Sequence, residues 1–210
     1  MKRIMMVLAI ALLNSVVVMA QQEEGTLTTQ AKVGMNVAGF SDADKSVYDL
    51  NFGLETEYMV TDNFSLAAGI IMSNQGAKYD NEVEGKYEVD LDYVNIPIMA
   101  NFYVLSGLAV KAGIQPGFRP KAKVKAEGVN EDWDEYYSKL LVATGGLVDV
   151  SGLKIKRYDL CFPVGLSYEY KNIVLDARYN WGLIKLMNLG DAFYNRVFQV
   201  TLGYKFSVDM

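Results

Sequence analysis

Apolar and polar residues alternate one by one between Tyr158 and Leu183, with an interruption at Lys171 and Asn172. A period of two places successive side chains on opposite faces of a β-strand, so each half of this stretch predicts a strand with one apolar and one polar face. Each half has about the length that a tilted strand needs to cross a bilayer. Aromatic residues lie near the strand ends, where membrane boundaries concentrate them. The stretch therefore predicts a transmembrane β-hairpin.

The same alternation would also fit a soluble barrel whose apolar face points inward. Glycine favours the membrane-inserted alternative, because the glycines of the predicted strands fall on the polar face. A strand surface in water gains nothing from glycine, whereas a narrow barrel interior needs small residues beside its charged side chains. These glycines are Gly34, Gly53, Gly69, Gly113, Gly117, Gly165, Gly182 and Gly203. We therefore predict that the apolar faces contact lipid.

Alternation recurs along the chain and predicts eight strands. They are Gln30–Phe40, Leu50–Val60, Phe64–Ser73, Tyr93–Val104, Leu108–Arg119, Tyr158–Tyr170, Ile173–Leu183 and Asn195–Val208. Pro97 predicts a bulge or a local break in the fourth strand, because proline cannot donate to the hydrogen-bond ladder. The connections after strands two, four and six are short. The longer connections are 41–49, 74–92, 120–156 and 186–194. Both ends of 120–156, at 121–125 and 153–157, are predicted to extend the neighbouring strands.

This arrangement predicts an all-β fold, namely an eight-stranded antiparallel transmembrane β-barrel with short periplasmic turns and long extracellular loops. A short helix is predicted in the third long loop, at about 131–143, because Trp133, Tyr136 and Tyr137 recur there at helical intervals. These three aromatic residues form a candidate surface for a protein partner. Packing of the helix on the barrel rim is the alternative explanation of these residues, and it is the hypothesis we prefer.

The first 20 residues predict a cleaved secretory signal peptide. Lys2 and Arg3 precede an apolar run, and Val18, Met19 and Ala20 form a small-residue cleavage site before Gln21. This is the pattern of an export signal. The predicted organisation is therefore a signal peptide at 1–20 and one barrel domain at 21–210, in the outer membrane.

Composition excludes several classes of function. The chain has 20 basic and 25 acidic residues and no basic block, which argues against nucleic acid as a partner. It has no histidine, so histidine-dependent catalysis and histidine-ligated metal sites are excluded. Its one cysteine, Cys161, cannot form an intramolecular disulfide, and we predict an inert thiol that points inward. No cofactor and no metal are predicted, and the acidic stretch 80–92 lacks the spacing of a calcium loop.

Three segments resemble a known family. YVNIPIMANFYV at 93–104, KAGIQPGFRP at 111–120 and YDLCFPVGLSYEYKNIVLDARYNWGLIKL at 158–186 are similar to the PorT-like small outer-membrane β-barrels of Bacteroidetes-type bacteria. The resemblance covers nearly the whole mature chain and implies the barrel fold. It implies little about activity, beyond an accessory role in protein secretion. The C-terminus departs from the usual assembly signal, because Ser-Val-Asp-Met follows Phe206.

Charged residues collect on the inward face and predict a polar network in the lumen. The predicted members are Lys32, Glu55, Glu57, Lys111, Arg119, Arg157, Asp159, Glu169, Asp176, Arg178 and Lys205. An eight-stranded lumen has room only for its own side chains, so the preferred hypothesis is a structural plug of paired charges. Arg178 is the predicted centre, since its guanidinium can hold two carboxylates, with Asp159 or Glu55 as candidates.

The predicted function is therefore a non-enzymatic, monomeric barrel in outer-membrane lipid, whose extracellular loops meet a protein partner. A narrow pore for small solutes is the first alternative, because the same charges would line a polar path. A histidine-free hydrolase at the rim is the second alternative. It would need a Ser-Lys site or a pair of carboxylates such as Glu55 and Glu57.

Overall fold

The computed structural model describes residues 23–40, 45–81, 85–126, 129–143, 155–187 and 193–208. Ten strands and one helix occur in this part of the chain. The strands are β1 Leu27–Phe40, β2 Lys45–Thr61, β3 Phe64–Asn81, β4 Gly85–Asn95, β5 Ile98–Leu105, β6 Leu108–Ala126, β7 Val129–Asp132, β8 Tyr158–Tyr170, β9 Ile173–Met187 and β10 Phe193–Ser207, and the helix is α1 Trp133–Ala143. The predicted signal peptide lies outside the described residues.

The strands close into an antiparallel barrel with eight positions around the ring. Neighbours pair in the order β2, β1, β10, β9, β8, β6, then β4 with β5, then β3, and β3 pairs with β2 to complete the ring. β4 and β5 share one position because both pair with β3 on one side and β6 on the other. β7 pairs only with β6 and lies outside the ring. The predicted eight-stranded barrel is confirmed.

The break between β4 and β5 falls at Ile96 and Pro97, where the sequence predicted a bulge or a local break. The backbone groups around it still find partners. The Ile96 N–H donates to the Pro116 carbonyl at 2.9 Å, and the Pro97 carbonyl accepts from the Gly69 N–H at 3.0 Å. The missing proline N–H therefore interrupts the strand without opening the barrel wall.

Three two-residue turns lie at one end of the barrel, which we call the turn end. They are Asp62–Asn63, Ser106–Gly107 and Lys171–Asn172. Gly107 has a φ of 79°, a left-handed conformation that glycine adopts without steric cost. The opposite end, the loop end, carries α1 and β7 and the longer connections.

Three of the predicted loops were too long. Segment 74–92 is largely a hairpin, with β3 continuing to Asn81 and β4 beginning at Gly85. On its other edge β4 pairs with β6, and opposite charges favour that pairing, because Asp92 faces Lys121 and Asp90 faces Lys123. β2 begins at Lys45 rather than Leu50, and the strands also cover 186–187 and 193–194 of the predicted last loop. The acidic composition of 74–92 resembled a loop, but most of these residues lie on paired strands.

The barrel wall has the predicted orientation, with apolar side chains outward and polar side chains inward. Leu50 and Val33 are 64% and 56% exposed, whereas Lys32 and Arg178 are 4% and 1% exposed. The helix α1 lies where it was predicted, and the predicted extension at 121–125 belongs to β6. Of the predicted extension at 153–157, residues 153–154 lie outside the described residues, and the prediction is wrong for 155–157, because β8 begins at Tyr158. Within the described residues, no helix has the length and apolar character required to span a membrane.

Candidate functional site

Five charged side chains meet at mid-height in the lumen, and we call them the central cluster. They are Lys32, Glu55, Lys111, Asp176 and Arg178. They come from β1, β2, β6 and β9, which lie on different sides of the ring. Alternation directs each of them inward, so the cluster spans the barrel rather than lining one wall.

Arg178 joins the two carboxylates of the central cluster. Its Nη2 donates to Glu55 Oε2 at 2.7 Å, and its Nε donates to Asp176 Oδ1 at 2.7 Å. The Nη2 group also lies 2.9 Å from Asp176 Oδ2. The guanidinium group thus bridges two carboxylates at once, which an ammonium group could not do with the same fixed geometry.

Lys32 and Lys111 complete the central cluster, and each contacts both carboxylates. Lys32 Nζ lies 3.2 Å from Glu55 Oε1 and 3.3 Å from Asp176 Oδ2. Lys111 Nζ lies 3.3 Å and 2.9 Å from the same two atoms. Three cations therefore share two carboxylates, all of them nearly or fully buried. The central cluster carries one excess positive charge.

Glycine makes room for this cluster on the neighbouring strands. Gly165 pairs with Arg178, and Gly69 pairs with Glu55. A Cβ at Gly165 would collide with the backbone at Ala177, and a Cβ at Gly69 would collide with the backbone at Leu54. Side chains at these positions would overpack the closely approaching strands.

A second group, the turn-side cluster, lies nearer the turn end and consists of Glu57, Glu169 and Lys205. Lys205 Nζ lies 2.8 Å from Glu57 Oε2 and 2.6 Å from Glu169 Oε2. Glu57 Oε1 accepts further hydrogen bonds from neutral donors, which are Ser65, Asn101 (2.8 Å) and Tyr103 (2.7 Å). This cluster has one excess negative charge, so the two clusters together balance four cations against four carboxylates.

Neutral amides fill the lumen on the loop side of the central cluster. Asn51 Nδ2 donates to Asn36 Oδ1 at 2.8 Å, and Asn36 Nδ2 donates to Ser73 Oγ at 2.8 Å. Asn195 Nδ2 continues this layer by donating to Gln75 Oε1 at 2.5 Å and to Asp159 Oδ2 at 2.9 Å. These amides were not among the predicted members of the polar network, although they lie on the inward face of their strands, and this parity is the signal that identifies them.

Asp159 does not contact Arg178 as the sequence analysis allowed. Besides Asn195, its carboxylate accepts a 3.4 Å hydrogen bond from the thiol of Cys161, two residues along β8. Glu55 is the second candidate partner of Arg178, and it does form the contact. Cys161 is buried and free, in the inward position that its parity predicted.

The two remaining predicted members, Arg119 and Arg157, lie at the loop end. Arg119 is buried, and its guanidinium donates to the carbonyl of Ile155 at 3.1 Å. The prediction was wrong for Arg157, whose side chain is 63% exposed and lies 3.1 Å from Asp134 on α1. Arg157 precedes the first residue of β8, so strand alternation does not determine its direction.

The helix α1 presents its aromatic residues unequally. Trp133 is buried, Tyr137 is half-buried, and Tyr136 is 37% exposed. The rings of Trp133 and Tyr136 lie 6.1 Å apart. Hydrogen bonds from the exposed Lys139 to Glu131 and Glu135 raise the pKa of its ammonium group.

These contacts limit the chemistry of the site. Glu55 and Glu57 belong to separate clusters inside the barrel, each held by cations, and neither lies at the rim. Among the described residues, no group of three or more cysteine, aspartate or glutamate side chains is arranged to hold a metal ion. What the arrangement does is cross-link strands around the ring and occupy the lumen.

A family model described as outer membrane protein beta-barrel domain matches residues 19–188. Among solved structures, the chain is similar to the attachment invasion locus protein Ail of Yersinia pestis, with 16% identity, coverage of 87% of this chain and 99% of that one, and a TM-score of 0.50. It is also similar to Neisserial surface protein A, with 16% identity, coverage of 87% and 100%, and a TM-score of 0.53. These two likenesses show the fold. No curated protein sequence gives a significant match.

Proposed function

Because this chain belongs to the outer membrane protein beta-barrel domain family, we propose that it is a non-enzymatic interaction protein of the outer membrane. Its lumen is closed by a structural polar network, and its loop end meets a protein partner. The family places the protein in the outer membrane with lipid around the barrel wall. The closed lumen, the partner and the lack of catalysis are the proposal.

The central cluster is the observation that carries this proposal. Arg178 reaches Glu55 on β2 and Asp176 on its own strand, and the two lysines reach the same carboxylates from β1 and β6. A solute crossing the barrel at this height would have to separate buried ion pairs, which is costly in a site that water does not reach. This arrangement supports a plug better than a selective path.

The position of the exposed apolar side chains supports a partner at the loop end. On α1, Leu141 is 44% exposed and Val142 is 80% exposed, next to the half-exposed Tyr136. Exposed apolar and aromatic residues of this kind form the anchors of many protein interfaces. Trp133, in contrast, is buried.

An accessory role in protein secretion is the finer form of this proposal. Its support is the resemblance of segments 93–104, 111–120 and 158–186 to the PorT-like barrels. Export through a signal peptide at 1–20 belongs to the same proposal, because an outer-membrane barrel must first cross the inner membrane. We propose a monomer, since the described strands close the ring within one chain.

Single-channel recording in planar bilayers tests the plug. We expect the purified barrel to give no conductance steps across the physiological range of voltage. Steady, voltage-insensitive steps would overturn the closed lumen and establish the small-solute pore instead. Glu55→Gln, which removes one carboxylate from the central cluster and increases its excess positive charge, is recorded for comparison with the wild type, and Glu131→Gln on the exposed rim is its matched control.

Site-specific photo-cross-linking in intact cells tests the partner. A photoreactive phenylalanine analogue is placed at Tyr136 or Val142, and at the exposed Thr61 of the turn end as control. We expect a discrete heavier adduct from the first two positions and none from the third. Equal adducts at all three positions, or none at all, would contradict a partner at the loop end.

A turnover assay tests the non-enzymatic claim against the hydrolase alternative. Lipid and peptide substrates are offered to the wild type and to Glu55→Gln and Glu57→Gln. We expect no turnover by any of the three. Turnover by the wild type that both substitutions abolish would establish a carboxylate-pair enzyme and overturn the proposal.

A further inference from the structure

A charged cleft of about 330 Å³ lies near the loop end, formed by residues of β2, β3, β4 and β6. It is separate from the central cluster and from the helix surface. Its lining residues share charge or amide chemistry and are Asp49, Asn74, Asp90, Asp92, Lys121 and Lys123. Carboxylates and ammonium groups therefore line the same concave surface.

Strand register fixes the height of this cleft relative to the apolar wall. The last apolar row across β3, β4 and β6 consists of Met72, Val94 and Phe118. The next row toward the loop end consists of Asn74, Asp92 and Lys121. The wall thus changes from apolar to charged within one row, on the face that contacts lipid. Such a change marks the level where acyl chains end and lipid headgroups begin.

The lining combines the groups that recognise a phosphorylated sugar. Lys121 and Lys123 are exposed cations that favour a phosphate group. Asp90 and Asp92 are half-buried, and carboxylate and amide oxygens accept hydrogen bonds from sugar hydroxyl groups. Asn74 Nδ2 donates to Asp92 Oδ1 at 3.0 Å, which fixes the orientation of that carboxylate within the cleft.

A simple anionic phospholipid fits this lining less well than a glycolipid does. Carboxylates repel a bare phosphate, so a site for phosphate alone would contain cations without Asp90 and Asp92 beside them. A sugar ring beside the phosphate has hydroxyl groups that can donate hydrogen bonds to these aspartates. We propose that the cleft binds the phosphorylated sugar headgroup of a glycolipid in the outer leaflet.

Native mass spectrometry of the detergent-solubilised full barrel tests this site. The probes are lipid A, enzymatically dephosphorylated lipid A, and phosphatidylglycerol at equal concentration. We expect the wild type to retain lipid A in preference to both other lipids. Equal retention of phosphatidylglycerol would overturn the proposal, because it would reduce the cleft to general attraction for anions.

Two substitutions locate the binding. Lys121→Ala combined with Lys123→Ala should weaken lipid A retention about tenfold, since each removes a charge-assisted hydrogen bond to phosphate. Lys185→Ala is the matched control, because Lys185 is an exposed lysine at the loop end of β9, away from the cleft. An equal loss in the control, or no loss in the double variant, would overturn the assignment.

Three further measurements complete the test. Unchanged heat-modifiable gel mobility establishes that the variants are folded before their lipid retention is compared. Asp92→Asn should also lower lipid A retention, because the carboxylate holds the sugar. Stronger lipid A retention by Asp92→Asn would contradict sugar recognition. Loss of wild-type retention on adding a chelator would contradict it too, because that loss would indicate a bridging divalent cation.

Discussion

Ion pairs occur at two depths in this barrel, with similar distances and very different surroundings. Arg178 lies 2.7 Å from Glu55 with both side chains at most 3% exposed, whereas Arg157 lies 3.1 Å from Asp134 with exposures of 63% and 38%. Water can solvate Arg157 if its partner is removed, but it cannot reach the charges of the central cluster in the same way. Distance alone therefore says little about what a pair contributes to stability.

The central cluster adds a second distinction, between its cations and its carboxylates. Three cations share two carboxylates, so within this cluster loss of a carboxylate increases the charge imbalance and loss of a cation removes it. Four substitutions, ordered from the largest expected effect to the smallest, test both distinctions.

Glu55→Gln should have the largest effect. Three buried cations would then face Asp176 alone, and we expect the free energy of unfolding to fall by about 3–5 kcal/mol. Urea unfolding in lipid vesicles, followed by the fluorescence of the outward-facing Trp181, measures this loss. Glu131→Gln on the exposed rim is the control, and an equal change in both variants would contradict the role of depth.

Arg178→Met should cost less, about 2–3 kcal/mol, although Arg178 donates more hydrogen bonds than either lysine of the central cluster. Two lysines and two carboxylates would remain and balance each other. Parallel urea titrations of Arg178→Met and Glu55→Gln compare the two directly. A larger loss from Arg178→Met would show that hydrogen bonding outweighs charge balance.

Lys205→Met should lower the free energy of unfolding by about 1–2 kcal/mol. It leaves Glu57 without its cation, but Asn101, Tyr103 and Ser65 still donate to that carboxylate, and Glu169 is partly exposed. The thermal stability of this variant is compared with that of the others by the temperature at which the folded band disappears from a gel. A loss as large as that of Glu55→Gln would mean that the neutral donors contribute nothing.

Arg157→Ala should have the smallest effect, below about 1 kcal/mol, because both partners are exposed. Thermal unfolding monitored by circular dichroism should give nearly the wild-type midpoint at low and at high salt. A midpoint drop comparable to that of Lys205→Met would restore Arg157 to the structural network in which the sequence analysis placed it.

The barrel itself was predictable because one simple rule determines it. Alternation assigned Val33 and Leu50 to the outer wall and Lys32 and Arg178 to the lumen, and glycine distinguished inside from outside. Alternation no longer distinguishes the two faces beyond the apolar wall, where the outward-facing side chains are also polar. There Asp90 and Asp92 resembled residues of an acidic loop, because nothing in a single strand reveals the lysines that face them on β6.

The sequence predicted which side chains point into the lumen better than it predicted which of them contact each other. Parity indicates that Asp159 and Glu55 both point inward, but it does not give the height at which each lies. Strand register places Asp159 in the amide layer and Glu55 beside Arg178. The prediction for Arg157 was wrong for a different reason, because alternation was applied to a residue that precedes the start of β8.

The pairing of β1 with β10 has a consequence for the order of events during assembly. These strands come from opposite ends of the chain and pair from Thr28 with Ser207 to Phe40 with Asn195. Such a distant contact is slow to form. The barrel wall stays open until β10 pairs with β1, and Lys32 on β1 cannot be enclosed before then. Closure of the barrel is therefore a late step, because it requires both the first and the last of the described strands.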